Sequence, residues 1–189
     1  MMNKTKMSIF ESAIKVFSIN GYDGATMDDM AQEAGVAKGT LYYHFKSKEE
    51  IFKYIITEGM ELIREQSETA AEREKDSLSK LKAICKLQLN LVYEKKDFFK
   101  VVMSQLWGQE IRQLELRDII QKHICNIEKY IKEAIDDGLI KNGEPYFIAY
   151  TFFGALCSAA VYELINKDKG SIDDISESLM QNILHGIQA

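Results

Sequence analysis

The 189 residues are 46% hydrophobic and 28% charged, with a formal net charge of −5. That is the balance of an ordinary globular chain with ample length for a core, and it excludes a disordered tail or a uniformly basic protein. Three cysteines, Cys85, Cys125 and Cys157, lie far apart in apolar helical patterns without metal-ligand spacing. They read as reduced core thiols of a cytoplasmic protein rather than a disulfide framework. The opening MMNKTK has no apolar signal region, so no export is expected.

From Lys4 to Ile19, Met7, Phe10, Ala13, Ile14 and Phe17 recur at three- and four-residue steps, which predicts one face of a helix with Phe10, Ile14 and Phe17 in the core. Asn20-Gly21 is its stop signal. Thr26 can cap a second helix, with Asp29 three residues on as a weaker capping-box acid. Met27, Met30, Ala31 and Ala34 give that helix a thin apolar side, and Gly35 supplies a turn with φ > 0. Lys38 to Phe45 form the next helix. Small residues at the crossing, a glycine turn and a second helix free on one side make a helix-turn-helix.

The second of these helices carries groove chemistry. Lys38, Thr40, Tyr42, Tyr43, His44, Lys46 and Lys48 supply donors, and no carboxylate occurs from Lys38 to Lys48. Residues 1–48 hold six lysines against five acids, a net of +1, so the remainder carries −6. The local positive bias therefore sits beside the candidate recognition helix, where phosphate attraction supplies sequence-independent affinity. Lys38, Thr40 and Tyr42 are the expected groove-facing group; Thr26, Gly39, Tyr43, His44 and Lys48 complete the expected DNA contacts, mostly to phosphate. Leu41 and Phe45 should anchor the helix to the core. The competing reading is a solvated helical hairpin whose lysines face water.

The stretch TMDDMAQEAGVAKGTLYYHFKSKEEIF resembles the DNA-binding signature of the TetR (tetracycline-repressor) family of bacterial transcriptional regulators. The resemblance runs from about Lys4 to Phe52, and its motif is highly specific. One departure is Ala37, where the family commonly places a serine cap, a loss of typically ~1 kcal/mol. The resemblance implies an all-α protein of about nine helices. A three-helix DNA-binding domain over 1–47 would precede a helical effector-binding and dimerisation domain over 48–189.

The rest of the chain fits that plan. Ser47-Lys48-Glu49-Glu50 reads as a capping box, opening a helix through Ile55, Ile56, Gly59, Met60 and Ile63 whose apolar stripe fades after Arg64. Glu65 to Asp76 reads as a frayed end and loop. Helical repeats follow from Leu78 to Val92, from Phe98 to Trp107 behind an Asp97 cap, and from Gln109 to Asp136. Asn142-Gly143 could mark a β-hairpin, but its flanks do not alternate. Glu144-Pro145 instead starts a helix. Residues 145–162 carry no charge, as in a membrane span. Thr151, Gly154, Ser158 and many alanines, with no second span or basic flank, point rather to a helix buried on two sides. Together with Ser171 to Ile187 it should form half of a dimer interface, using Gly154, Ala155, Ser158, Ala159, Leu179 and Ile183. No membrane partner is expected.

Aromatic and methionine residues of the body are read first as core, and second as the lining of an apolar effector pocket. Met60, Ile63, Met103, Trp107, Tyr150 and Phe153 are the candidate lining. The expected function is a homodimeric repressor that reads a palindromic operator and is released by a small apolar or aromatic effector. Alternatives are a DNA-binding dimer regulated by protein partners or architectural, and, remotely, a helical enzyme. His44, His123 and His185 are scattered, and the acids near His123 (Glu115, Asp118, Glu128) read as an exposed helical charge face. No catalytic triad, metal motif or phosphate-cradling loop occurs, so neither enzyme activity, cofactor nor metal is expected.

Overall fold

The computed structural model describes residues 4–166 and 171–186. Among them are nine α-helices: α1 Lys4–Gly24, α2 Met27–Glu33, α3 Lys38–His44, α4 Lys48–Glu72, α5 Ser77–Glu94, α6 Lys96–Ser104, α7 Ile111–Asp136, α8 Pro145–Ile165 and α9 Ile172–His185. They form two compact units. One comprises Met1–Met60 with Asp97–Ile119, the other Glu61–Lys96 with Ile120–Ala189. Helices α4 and α7 each begin in the first unit and continue into the second.

The core of the first unit is aliphatic and aromatic. Ile9, Phe10, Ala13, Val16 and Phe17 form the inner face of α1, while Met7 is exposed and Ile14 half-buried. The inner face is thus turned slightly from the expected one, with Ile9 and Val16 inside. Leu41 and Phe45 are buried with Ile51, Phe52, Ile55 and Ile56 of α4. Phe52 meets Phe17 and Tyr22 edge-on at 5.7 and 5.3 Å, and Phe17 stacks on Tyr22 at 5.5 Å. Such ring pairs add about 0.5–1.5 kcal/mol beyond burial. Helix α6 lies so close to α4 that a Cβ at Gly59 would collide with the Phe98 ring.

Several boundaries differ from the sequence expectation, including the start of α6 at Lys96, which puts Asp97 inside the helix and not at its cap. The stop at Gly21 is real, with φ 70°, but helical bonding resumes beyond it to Gly24, leaving a kink. Helix α4 runs on to Glu72 instead of fraying after Arg64. Arg64 bonds both Glu61 and Glu68 on its own helix, and Ser67 and Ala71 are buried, so tertiary cover and side-chain pairs hold the polar stretch helical. Helix α6 ends at Ser104, and Trp107 lies in the connector beyond it.

In the second unit, α5 and α9 are joined by the Lys86–Asp173 ion pair at 2.8 Å. The Ser77 hydroxyl donates to Asp137 at 2.7 Å, joining α5 to the end of α7. Helix α8 starts as its sequence dictates: the Glu144 carboxylate accepts from the N–H groups of Tyr146 and Phe147, with Pro145 at the first helical position. Cys85 is fully buried, and burial pushes its thiol up to about 12, the environment of an inert core cysteine.

Candidate nucleic-acid interface and ligand site

Helices α2 and α3 are set by local chemistry. The Thr26 hydroxyl accepts from Asp29 N–H at 3.1 Å, and the Asp29 carboxylate accepts from Thr26 N–H at 3.2 Å, a complete capping box. Gly35 takes φ 65° in the turn, and Val36 N–H returns to Ala31 O at 3.0 Å. The Ser8 hydroxyl donates to Ala34 O at 3.0 Å, and Lys15 pairs with Glu33 at 2.5 Å, so α1 holds the hairpin from behind. Ala37 caps α3 without any side-chain bond.

Helix α3 divides cleanly. Leu41 is fully buried at its inner side, with Phe45 just beyond its end. Lys38, Gly39, Tyr42 and Tyr43 are exposed, Tyr43 by 78%, and Thr40 and His44 are half-buried. Thr26 is exposed at the start of α2. The face turned outward is therefore the one with hydroxyls, rings and cations, which is what a major groove accepts. Three cations are already engaged, Lys46 through a bond from its Nζ to Tyr42 O at 3.0 Å. Lys38 pairs with Asp28 at 2.5 Å, and that carboxylate raises the ammonium's pKa. Lys48 Nζ donates to the carbonyls of Tyr22 at 2.8 Å and Asp23 at 3.3 Å, which leaves one of its three N–H groups for a phosphate.

Those Lys48 bonds belong to a cluster around Tyr22 that the sequence did not announce. The Tyr22 ring is covered by Lys48 Nζ, 4.7 Å from its centroid, and by the Arg112 guanidinium at 3.9 Å. Its hydroxyl donates to Glu49 at 2.9 Å. Burial, reinforced by Glu49, raises the Tyr22 pKa far above the usual phenol range. One ring thus ties the last turn of α1, the first turn of α4 and the first turn of α7.

A profile of the bacterial regulatory proteins of the tetR family matches residues 9–55, the stretch that builds this hairpin and its supports. YhgD, an HTH-type transcriptional regulator of Bacillus subtilis (strain 168), is 35% identical over 149 residues, covering 77% of this chain and 76% of its own. The chain belongs to the TetR family. It is a DNA-binding transcriptional regulator, and α2 and α3 are its helix-turn-helix. A Clostridium perfringens protein proposed to be a fatty acid metabolism regulator has the same structure: 44% identity, TM-score 0.90, covering 96% of this chain and 99% of its own. The regulator FadR of Bacillus subtilis, solved in complex with stearoyl-CoA, shares the fold with TM-score 0.87 at 23% identity, over 96% of this chain and 99% of its own.

Two spaces stand out among the described residues of the second unit of this TetR-family regulator. The larger is an open cleft of 1190 Å³ between α5, α8, α9 and the end of α7, walled by Leu81, Ile131, Phe147, Phe152 and Met180, with Lys82, Lys86 and Lys141 also on its lining. None of the six residues singled out from sequence lines it. Met60 and Ile63 are buried and Phe153 half-buried, while Met103, Tyr150 and Trp107 are 36, 41 and 82% exposed. Met60, Met103 and Trp107 belong to the first unit, and periodicity does not say which side of a helix a cavity occupies. The smaller space, about 10 Å³, is bounded by residues of α4, α5 and α7, including His123. His123 is itself only 6% exposed, although its neighbours in sequence read as a charged face.

Proposed function

We propose that this regulator acts in the cytoplasm as a homodimeric repressor. It reads a near-palindromic operator through paired α3 helices and is released by an apolar effector of the long-chain fatty acyl thioester class. Residues 1–47 are the reader, with Thr26, Lys38, Gly39, Thr40, Tyr42, Tyr43, His44 and Lys48 as its DNA contacts. Residues 48–189 are the effector-binding and dimerisation body.

The observation that carries the homodimer is the outer face of α8. Phe147 and Ile165 are 71 and 73% exposed, Tyr150, Val161 and Tyr162 more than 40%, while Ala149, Phe152, Leu156 and Ala160 on the other side are buried. Exposed positions 147, 150, 154, 158, 161, 162 and 165 recur at helical spacing. They leave an apolar stripe that the described residues do not cover. A Cβ at Gly154 would meet nothing within 4 Å, so a second helix can approach closely there. The same geometry explains why this segment is long and apolar enough for a membrane span by composition alone. Gly154 and Ser158 are on the stripe, Ala155, Leu179 and Ile183 are half-buried, with Ile183 on the lining of the cleft, and Ala159 packs inward.

The effector class is supported by the relatives and by the cleft. The Bacillus subtilis FadR with this fold was solved with stearoyl-CoA. A 1190 Å³ space with aliphatic and aromatic walls suits a long acyl chain, while its rim carries Lys82, Lys86 and Lys141 beside Glu74, Asp173 and Glu177, with Lys86 paired to Asp173. The route to DNA is covalent, since α4 and α7 continue from one unit into the other. An effector preferring a body conformation that respaces the two α3 helices, ideally about one turn (~34 Å) apart, lowers operator affinity by its differential affinity for the two states.

Selection of binding sites from random duplexes, followed by fluorescence anisotropy with added stearoyl-CoA, tests this reading. Inverted half-sites one helical turn apart and release on adding the thioester are expected. Unpaired sites would defeat the dimer reading, and tight thioester binding with unchanged operator affinity would defeat the release.

A further inference from the structure

Three of the buried polar side chains of the second unit come from three helices and line one small space: Ser67 of α4, Gln88 of α5 and His123 of α7, each 6% exposed. They are poorly served by the protein. Gln88 Nε2 donates to Ser67 Oγ over a long 3.3 Å. His123 Nδ1 is buried without any hydrogen-bond partner, and its ring meets Phe153 edge-on at 6.0 Å. Burial lowers the His123 pKa to about 4, so at neutral pH its two nitrogens are one donor and one acceptor. Beside them is the space of about 10 Å³, room for one water-sized group. A leucine or phenylalanine would fill position 123 at lower cost than an orphaned imidazole, so packing alone gives no reason for the histidine.

We infer that His123 and Gln88 form the hydrogen-bonding anchor for a neutral carbonyl of the effector, within a site that opens between α4, α5 and α7. The inference rests on the acyl-thioester reading above and supplies that ligand's polar contact. Charge decides the class of group. Arg64, the one cation on the lining, is already bonded to both Glu61 and Glu68, so nothing in the site compensates a carboxylate. A thioester carbonyl brings an acceptor and no charge. Ile84 and Ile127 on the small space lie three and four residues from Leu81 and Ile131 on the large cleft, one turn along α5 and α7.

Calorimetry with stearoyl-CoA and its thioether analogue S-octadecyl-CoA, which has a methylene in place of the carbonyl, tests the anchor on the full chain. The wild type should prefer the thioester by roughly tenfold, the worth of one good hydrogen bond. His123→Phe and Gln88→Leu should bind both compounds alike, at the thioether's affinity. His123→Phe should also melt higher than wild type, because the orphaned nitrogen is gone. Equal wild-type affinity for the two compounds overturns the anchor while leaving the acyl reading intact, and needs no variant to fold. Unchanged thioester preference in His123→Phe likewise overturns it. Failure of wild type to bind either compound retires the acyl reading, and the anchor with it.

Discussion

The two units of this regulator treat their polar groups in opposite ways. Around α2 and α3 the capping box, the Ser8 and Lys15 ties and the Tyr22 cluster leave each of those polar groups with a partner, and the large side chains that stay outside are those suited to a groove. In the second unit an imidazole nitrogen is buried without a partner, a cleft stands open, and an apolar helix face is uncovered. The reader is over-determined so that its geometry is preserved. The body carries deficits that another molecule can make good. Local rule-breaking of that kind is where function resides in a structure otherwise consistent with its sequence.

The contrast can be broken by experiment. The largest effect is expected from Val161→Asp with Ile165→Asp on the outer face of α8. Charges there should give a monomer by sedimentation and cost operator affinity a factor of about 10² or more, since linked half-sites lose their avidity. A variant that stays dimeric would show that this face is not the interface. Next is Phe52→Ala in the reader's core, which should lower stability by about 3–5 kcal/mol in denaturant titration, without a collapsing substitute nearby.

A third experiment concerns pH. The folded pKa of His123 is depressed to about 4, below its unfolded value, so in acid the unfolded chain takes up a proton that the folded one refuses. Stability should therefore rise with pH between about 4 and 6.5, by a total on the order of 3 kcal/mol. That contribution should vanish in His123→Phe; an identical pH profile in the variant would mean the imidazole is hydrated and the deficit illusory. Arg112→Ala is expected to cost about 1 kcal/mol by removing the guanidinium from the Tyr22 ring. It should also shift the Tyr22 near-ultraviolet signal, and a silent change would show the reader to be less tightly determined than its contacts imply. The smallest effect belongs to Asp28→Asn, which frees the exposed Lys38 with little change in stability. It should strengthen non-specific DNA binding and steepen the salt dependence by about one charge.

Much of the reader was legible because its determinants are local. Thr26 and Asp29 are three residues apart, Gly35 takes the positive φ its turn requires, and Leu41 and Phe45 fall on one side by spacing alone. The Ser47 box was legible only in part: Ser47 accepts from Glu50 N–H, but the Glu50 carboxylate reaches back to Lys46 N–H at 2.6 Å. Arg112 was not legible at all as a partner of Tyr22, ninety residues away, because nothing in either neighbourhood marks the other.

The sequence by itself determined the all-helical class, the helix-turn-helix and the membership of the family, since period, caps and turn residues act within a few positions. Tertiary structure alone decided how far α4 runs, which residues wall the cleft, and that His123 lies inside. Burial of a side chain depends on neighbours brought from distant segments. A histidine flanked by charges on α7 looks solvated until α4 and α5 close over it.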